Sequence, residues 1–433
     1  MPSEKLIFAG VGDISGQVRG KGFPVAERAA RFRDGVGWTP TNVQITCFDT
    51  IAPSPYGALG DLILRPAPET EVEVDLGAGV HFVLSNVEHP DGRPWECCLR
   101  TMASLAVADL EARTGLTVRS AFEHEFTLKG DADAGRSYSL RGFQSGKLLG
   151  ETLMGALRQA GLSPDSFLRE YGERQYEVTV DPAEGVAAAD QAIILRELAH
   201  AAAAACGEAI SFTPIVSPEG VGNGVHVHMS LQQTDGAPAT YDAAGPSQFS
   251  APAGAFVAGV LKYVGAFAAI TAPSAISYTR LTPHRWSAAF NNLGYRDREA
   301  AVRICPVTGR DEIAKARQFH FEFRAADAAA NPHLLLAVLI RAGLQGIEEG
   351  LKPPVPTEED LSLLSPEELA NRGLLRLPAT LEEALEKLEA DKAVRSWLPP
   401  GFVDVYLAHK RGEIAYLGGK PEDEIFTAYA KAY

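Results

Sequence analysis

The stretch Gly220-Val221-Gly222-Asn223-Gly224-Val225-His226-Val227-His228-Met229-Ser230-Leu231 reads as a glycine-rich loop running into a β-strand. Side chains alternate across a strand with period two. His226, His228 and Ser230 therefore share one face, and Val225, Val227, Met229 and Leu231 the other. The three glycines let the backbone approach a ligand at the mouth of the strand, although such a loop alone is more often a simple turn. Three further stretches repeat the pattern. In Phe122–Phe126, Glu123 and Glu125 oppose Phe122, His124 and Phe126. In Gln175–Val180, Glu177 shares a face with Gln175 and Thr179. In Phe319–Arg324, His320, Glu322 and Arg324 share a face.

The apolar faces of these four strands must pack on a core. Any one polar face alone would be ordinary if it met water. Solvated faces tend to carry Lys and Thr, whereas these four carry Glu, His and Arg without a lysine. The pattern predicts a curved antiparallel sheet with carboxylates and imidazoles lining its concave side. Crowded carboxylates repel and cannot all ionise without cations. Glutamates with one or two histidines suit hard divalent ions, Mg²⁺ or Mn²⁺. Zinc fits less well, because no cysteine pattern accompanies these residues.

A cationic group follows: Arg280, Arg296, Arg298, Arg303 and Arg310, in a segment that also holds Trp286 and Tyr295. Guanidinium groups bind phosphate or carboxylate in bidentate fashion, and both anions qualify here. Arg296 and Arg310 read as surface residues. The run Gly16–Lys21 is not a P-loop: its spacing is one residue short and Gly22 stands where Ser or Thr is required.

The 433 residues, 46% hydrophobic and 22% charged, suit a globular chain of more than one domain. With 40 basic against 55 acidic residues the formal charge is −15, which lacks the footprint of a general nucleic-acid binder. The five cysteines include no C-x-x-C pair and read as reduced structural thiols. No signal peptide is expected. The apolar stretches 186–206 and 253–273 are broken by charged residues, Lys262 in the second, so no membrane span is expected and the expected location is the cytoplasm. Strands are predicted at Leu6–Val11, Val43–Phe48, Leu62–Leu64 and His81–Leu84, with a helix at 25–33. Helices are predicted over Arg100–Arg113, stopped by Gly115, and over 380–394, with Thr380 as N-cap and Glu383 completing a capping box.

Together these motifs resemble the glutamine synthetase family, over nearly the whole chain. The family's metal-binding Glu-x-Glu strand resembles Glu123 and Glu125. Its E-x(n)-G-Q-x-E segment resembles Glu170 to Glu177, and its G-x-G-x-H-x-H-x-S strand resembles Gly222 to Ser230. Its Y-x-R-L motif resembles Tyr278–Leu281, and its N-R-x-A-x-x-R motif resembles Asp297–Arg303. Its E-x-R-x-x-D-x-x-x-N-P motif resembles Glu322, Arg324, Asp327 and Asn331-Pro332. The segment Asp13–Lys21 and the helical tail resemble the branch that joins glutamate to amines, the γ-glutamylpolyamine synthetases among them.

The resemblance implies an α+β fold: an N-terminal β-grasp domain, 1–96, and a catalytic domain, 97–433, with a curved antiparallel sheet forming a funnel and a helical C-terminal tail. It implies a homo-oligomer of two stacked hexameric rings, a dodecamer, with sites between neighbours. Glu125, Glu170 and Glu177 would hold one divalent ion, and Glu123, His226 and Glu322 a second on the phosphates of ATP. His228, Ser230 and Arg303 would lie at the nucleotide. Gly222, Arg280 and Arg324 would bind glutamate, and Arg298 and Arg303 would stabilise the transferring phosphoryl group.

Ammonia-using members carry a Glu six residues after the Y-x-R-L arginine, and here that position is Trp286. An Asp that they offer from the N-terminal domain aligns with Thr39. The Asn of their N-G-S-G loop is replaced by Val221, and the Gly of G-Q-x-E by Arg174. The tyrosine that regulates some bacterial members has no counterpart near Leu374–Pro378. The expected activity is ATP-dependent ligation of glutamate to an organic amine, with Trp286 at the amine. The alternatives are a glutamine synthetase using ammonia and a catalytically silent family member serving as a structural or regulatory oligomer.

Overall fold

A computed structural model of the chain describes residues 3–130 and 135–433. The first sheet contains β1 (Leu6–Gly12), β2 (Val18–Pro24), β3 (Val36–Trp38), β4 (Leu62–Pro66), β5 (Val72–Asp75) and β6 (Gly79–Glu88). Its order is β2–β1–β6–β4–β3, with β5 also paired to β6. β1 and β2 form an antiparallel hairpin, while β1 and β6 run parallel. With the helix Arg28–Asp34 this makes the expected N-terminal β-grasp unit.

The predicted strand Val43–Phe48 does not form. Pro40–Gln44 is a 3₁₀ turn, and the segment after it, with Cys47 buried and Phe48 half-buried on Tyr416, packs on the helix Phe402–Leu417 instead of pairing in the sheet. Gln44 Nε2 donates to the Val405 carbonyl at 3.3 Å, and the Cys47 backbone N–H donates to Glu413 Oε1 at 3.4 Å.

The second sheet contains β7 (Leu116–Leu128), β8 (Pro164–Arg169), β9 (Gln175–Val180), β10 (Ala183–Glu184), β11 (Ile210–Ser211), β12 (Val225–Gln233), β13 (Phe290–Gly294), β14 (Ala300–Ile304) and β15 (Phe321–Phe323). The order is β13–β14–β15–β12–β7–β9–β8, with β10 and β11 added to β7. All pairs are antiparallel except β13 with β14. The apolar face works as its alternation predicts: Phe122, Phe126, Val227, Phe321 and Phe323 are buried. Phe256 and Phe267, from the helix Ala251–Thr271, meet Phe321 and Phe323.

Ala251–Thr271 is long and apolar enough to cross a membrane by length and composition, which the interruption at Lys262 had argued against. Here it is mostly buried as a core helix. Lys262 reaches out of that core to Glu349 at 2.5 Å.

The other helices largely follow the sequence. Leu99–Thr114 ends at Gly115, whose φ of 69° is the left-handed C-cap that glycine adopts without penalty. Thr380 caps Leu381–Ala390 as expected. However, the Glu383 carboxylate accepts from the Ala379 N–H and not from Thr380, so no reciprocal box forms there. The helix stops at Ala390 because Asp391 caps a second one, Lys392–Ser396. The reciprocal box occurs at Ser365 and Glu368.

The segment Asp13–Lys21 joins β1 to β2 and is hydrogen-bonded to the C-terminal part of the chain. The Asp13 carboxylate accepts from Ser15 Oγ, Gln17 N and Arg19 Nε at 2.7–2.9 Å. Asn331 Nδ2 donates to the Asp13 carbonyl, and Tyr433 Oη to the Ser15 carbonyl.

The helices Ala251–Thr271 and Pro332–Glu348 touch backbone to backbone at Gly259 and Gly346. A Cβ on Gly259 would sit 2.1 Å from the Ala342 carbonyl oxygen, and one on Gly346 would sit 2.2 Å from that of Ala255. Alanine normally gains roughly 1 kcal/mol over glycine inside a helix. Overpacking costs about 1–3 kcal/mol and here falls on rigid backbone. Gly259→Ala is therefore expected to destabilise the fold despite its better helix propensity. A urea midpoint at or above that of wild type would refute the tight crossing.

Candidate active site

The register of the second sheet sets the chemistry of its polar face. On β7 and β9, Glu125 lies directly opposite Glu177. On β7 and β12, Glu123 lies opposite His226. On β12 and β15, His228 lies opposite Glu322, and on β14 and β15 Arg303 lies opposite Glu322. Each strand alone supplies alternation, whereas the pairing puts acid against acid, acid against imidazole and acid against guanidinium.

These groups line one cleft of about 730 Å³. Its walls include Glu123, Glu125, Glu170, Glu177, Gly222, His226, His228, Arg280, Trp286, Arg298, Arg303, Glu322 and Arg324, so all but one of the residues selected from sequence converge. Ser230 lies in an adjoining cleft of about 320 Å³, which shares Glu123, His228 and His320 with the first. Val221, the position of the missing Asn, is also on the wall. Arg296 and Arg310 are exposed away from it, as expected of surface arginines. Thr39 begins the Pro40–Gln44 turn in the first domain and does not line the cleft.

The carboxylates have contrasting surroundings. Glu123 is flanked by His226 Nδ1 at 2.6 Å and His228 Nε2 at 3.3 Å. Burial pushes its carboxyl up, but the two imidazoles outweigh that and hold it well below the usual range. Burial likewise raises Glu322, yet Arg324, the two histidines and Arg303 bring it down to about 2. Arg303 Nη1 and Arg324 Nη1 both donate to Glu322 Oε1, at 2.8 and 2.7 Å.

At the other end, Glu125 is pushed up to about 8, chiefly by burial, with Glu170 and Glu123 adding repulsion against the Gly224 N–H and Arg280. Glu177 is pushed up to about 10 by burial and then by the charges of Glu123, Glu125 and Glu170. Ligand atoms of Glu123, Glu125 and His226 all lie within 4.8 Å of one another. A hard-oxygen cluster that cannot ionise fully on its own fits Mg²⁺ or Mn²⁺ in donor chemistry and in missing positive charge.

Sequence reasoning passed over several supporting residues. Tyr138 Oη donates to Glu170 Oε2 at 2.6 Å, an approach across 32 residues that no local motif signals. Gln175 Nε2 donates to Glu125 Oε2, the Gly222 carbonyl and Asn223 Oδ1, and so ties the acid strand to the glycine loop. That loop is glycine-rich for a reason beyond ligand approach. A Cβ on Gly222 would lie 2.5 Å from Arg280 Cδ, and one on Gly224 would lie 2.6 Å from Arg280 Nη2. Arg280 is buried across the loop, and its Nη1 has no hydrogen-bond partner among the described residues.

Trp286 is 53% exposed on the cleft rim, with its ring 5.3 Å from that of Tyr171. Its φ of 53° is an outlier for a bulky residue. Glu299 holds the turn by accepting from the backbone N–H groups of His284 and Trp286, both at 2.9 Å. The Trp286 carbonyl accepts from Arg324 Nη2 at 3.3 Å.

This fold and cleft are those of a glutamine-synthetase-type ligase. The family models described as glutamine synthetase N-terminal domain and glutamine synthetase, catalytic domain match residues 3–95 and 96–429. The chain belongs to the glutamine synthetase family. It is 34% identical to the gamma-glutamylpolyamine synthetase GlnA3 of Streptomyces coelicolor over 97% of this chain and 92% of that protein. It is 28% identical to the glutamine synthetase of Pyrococcus furiosus over 91% of this chain and 86% of that one. A crystal structure described as a novel glutamine synthase homolog superposes with a TM-score of 0.91 and 39% identity, covering 100% of this chain and 99% of that one.

Replacing Glu177 by Gln removes the cost of keeping a buried acid protonated at neutral pH. In chelator, Glu177→Gln is expected to melt above wild type. In Mg²⁺ or Mn²⁺ at about a hundred times its Kd, wild type is expected to gain about 2.7 kcal/mol and the variant much less. Thermal melts with and without the ion check this. Equal stabilisation of both proteins would remove Glu177 from the cation site.

Proposed function

We propose that the protein is an ATP-dependent ligase that joins the γ-carboxylate of glutamate to an organic amine through γ-glutamyl phosphate. The observation that carries the reading is Trp286, packed on Tyr171, on the rim of the same cleft that holds the converging acids and arginines. The gamma-glutamylpolyamine synthetase among the relatives supports it.

A carboxylate is a poor electrophile for an amine. Transfer of the γ-phosphoryl group of ATP to the glutamate γ-carboxylate releases ADP and leaves an acyl phosphate. The amine, deprotonated, then attacks the acyl carbon; the bond to the phosphate oxygen breaks, phosphate departs, and the proton left on nitrogen is released to solvent as the amide forms. Glu125, Glu170 and Glu177 are the proposed holders of one Mg²⁺ or Mn²⁺, and Glu123, His226 and Glu322 of a second. When bound, such ions neutralise phosphate and carboxylate oxygens as charge moves between them.

Arg298, exposed on the cleft, and Arg303, anchored on Glu322, are assigned to the transferring phosphoryl group. His228, Ser230 and Arg303 are assigned to ATP, and Gly222, Arg280 and Arg324 to glutamate. The boundary at residue 96 between the β-grasp and catalytic domains is part of this reading, supported by where the two family matches meet. So is a dodecamer of two hexameric rings, supported by exposed apolar side chains such as Ile51, Leu59, Leu140 and Leu148. A cytoplasmic location is supported by five free thiols.

Two predictions test the substrates. Arg324→Ala is expected to raise the glutamate KM about tenfold to a hundredfold, the worth of one charge-assisted bond, and to move the ATP KM far less. Equal effects on both would sink the assignment.

An ammonium site needs anions to offset desolvation, whereas an aromatic wall rewards buried carbon at about 25 cal/mol per Å². A protonated amine gains roughly 0.5–2 kcal/mol more from a cation–π contact. Wild type is therefore expected to use a primary alkyl- or arylamine about tenfold better than ammonia or more, and Trp286→Glu is expected to narrow that gap. Steady-state ADP release with glutamate and a panel of amines decides. Ammonia as the best acceptor of wild type would restore the glutamine synthetase reading, and no turnover with any acceptor would favour a silent oligomer.

A further inference from the structure

Beside the carboxylate cluster, on the same wall, lies a trio of different chemistry: His228, Cys305 and His320. One ligand atom from each lies within 4.8 Å of the others. His228 Nδ1 is 3.1 Å from His320 Nε2 and 3.7 Å from Cys305 Sγ. We propose that these three side chains form a site for a borderline divalent transition ion, Zn²⁺ being the best match, separate from the oxygen-rich cluster. This goes beyond the ligase reading and does not depend on it.

The hydrogen bonds on the far sides of the rings aim the right atoms inward. His320 Nδ1 lies 2.6 Å from the Gln318 carbonyl, which only accepts, so Nδ1 carries a proton and Nε2 offers its lone pair. His228 Nε2 lies 3.3 Å from both Glu123 Oε2 and Glu322 Oε2, so it carries a proton and Nδ1 offers its lone pair. Two lone pairs facing each other at 3.1 Å require a shared cation between them, and a proton or a metal ion qualifies.

A proton serves only the nitrogen pair, whereas Cys305 Sγ supplies a third donor at the same point, which suits the metal. Zinc bonds of about 2.0–2.1 Å to nitrogen and about 2.3 Å to sulfur give tetrahedral edges of about 3.3–3.4 Å between nitrogens and about 3.5–3.6 Å between nitrogen and sulfur. The observed 3.1 and 3.7 Å need only small adjustments. Imidazole and thiolate select such an ion over Mg²⁺, which prefers oxygen. On binding, the Cys305 thiol releases its proton to solvent as the sulfur–metal bond forms. All three residues line the cleft, so a fourth coordination position opens onto it for water or an anionic oxygen.

The test uses the reduced full-length protein in excess Mg²⁺, titrated with Co²⁺ as the spectroscopic probe. One equivalent is expected to produce a thiolate-to-cobalt charge-transfer band in the near ultraviolet with intense tetrahedral d–d absorption, both bleached by Zn²⁺. Cys305→Ser is expected to lose the charge-transfer band, and His320→Ala to weaken Co²⁺ binding about tenfold or more. Circular dichroism and gel filtration establish that both variants fold. Should either fail to fold, Zn²⁺ is expected to slow alkylation of Cys305 in wild type, mapped by peptide mass spectrometry, about tenfold or more. Absence of the band in wild type, its survival in Cys305→Ser, or alkylation at an unchanged rate would overturn the site and leave a proton as the shared cation.

Discussion

The constraint on which this structure turns is the repulsion among buried carboxylates that the sheet forces together. Glu125 and Glu177 are direct cross-strand neighbours, with Glu123 two residues along β7 on the same face. Like charges placed opposite each other destabilise a sheet. The molecule therefore spends stability to hold a configuration that positive charge would relieve. Its apolar underside, with Phe122, Phe126, Phe321 and Phe323 packed on the core, keeps the strands in register against that repulsion.

Relief from the protein itself outweighs burial on only one side of the cleft. Glu322 receives two guanidinium groups and Glu123 two imidazoles, so both are held low. At Glu125 burial outweighs the Gly224 N–H and Arg280, at Glu177 it is joined by three neighbouring acids, and both are held high. This gradient is the physical basis for assigning bound cations to the cleft. The arginines belong to the same balance: Arg324 is spread over Glu322, the Arg298 carbonyl and the Trp286 carbonyl. It thus joins the acid cluster to the turn that presents the aromatic wall, and a change at either end is transmitted to the other through one side chain.

Much of the site was legible because strand alternation is local. A period of two is visible in Glu123-His124-Glu125 and in His226-Val227-His228 without knowing what pairs with them. The Val43–Phe48 segment shows where that reading fails. Its β-branched and apolar residues resemble a strand, but Pro40 starts a turn, and the helix Phe402–Leu417 buries the segment from more than 350 residues away. Tyr138 and Cys305 escaped notice for a related reason: each owes its place to a distant partner, Glu170 in one case and His228 in the other.

The sequence by itself determined which side chains share the polar face of each strand, where helices end at Gly115 and begin at Thr380, and which family the motifs resemble, because each depends on neighbours a few positions away. Only the tertiary structure decided what those residues meet. The register that sets Glu125 against Glu177 and His228 against Glu322 joins strands tens to a hundred residues apart. The glycines of the loop are required by Arg280 lying across it, and the left-handed turn at Trp286 is held by Glu299. Long-range pairing and close packing are properties of the whole chain's compaction, and no local pattern carries them.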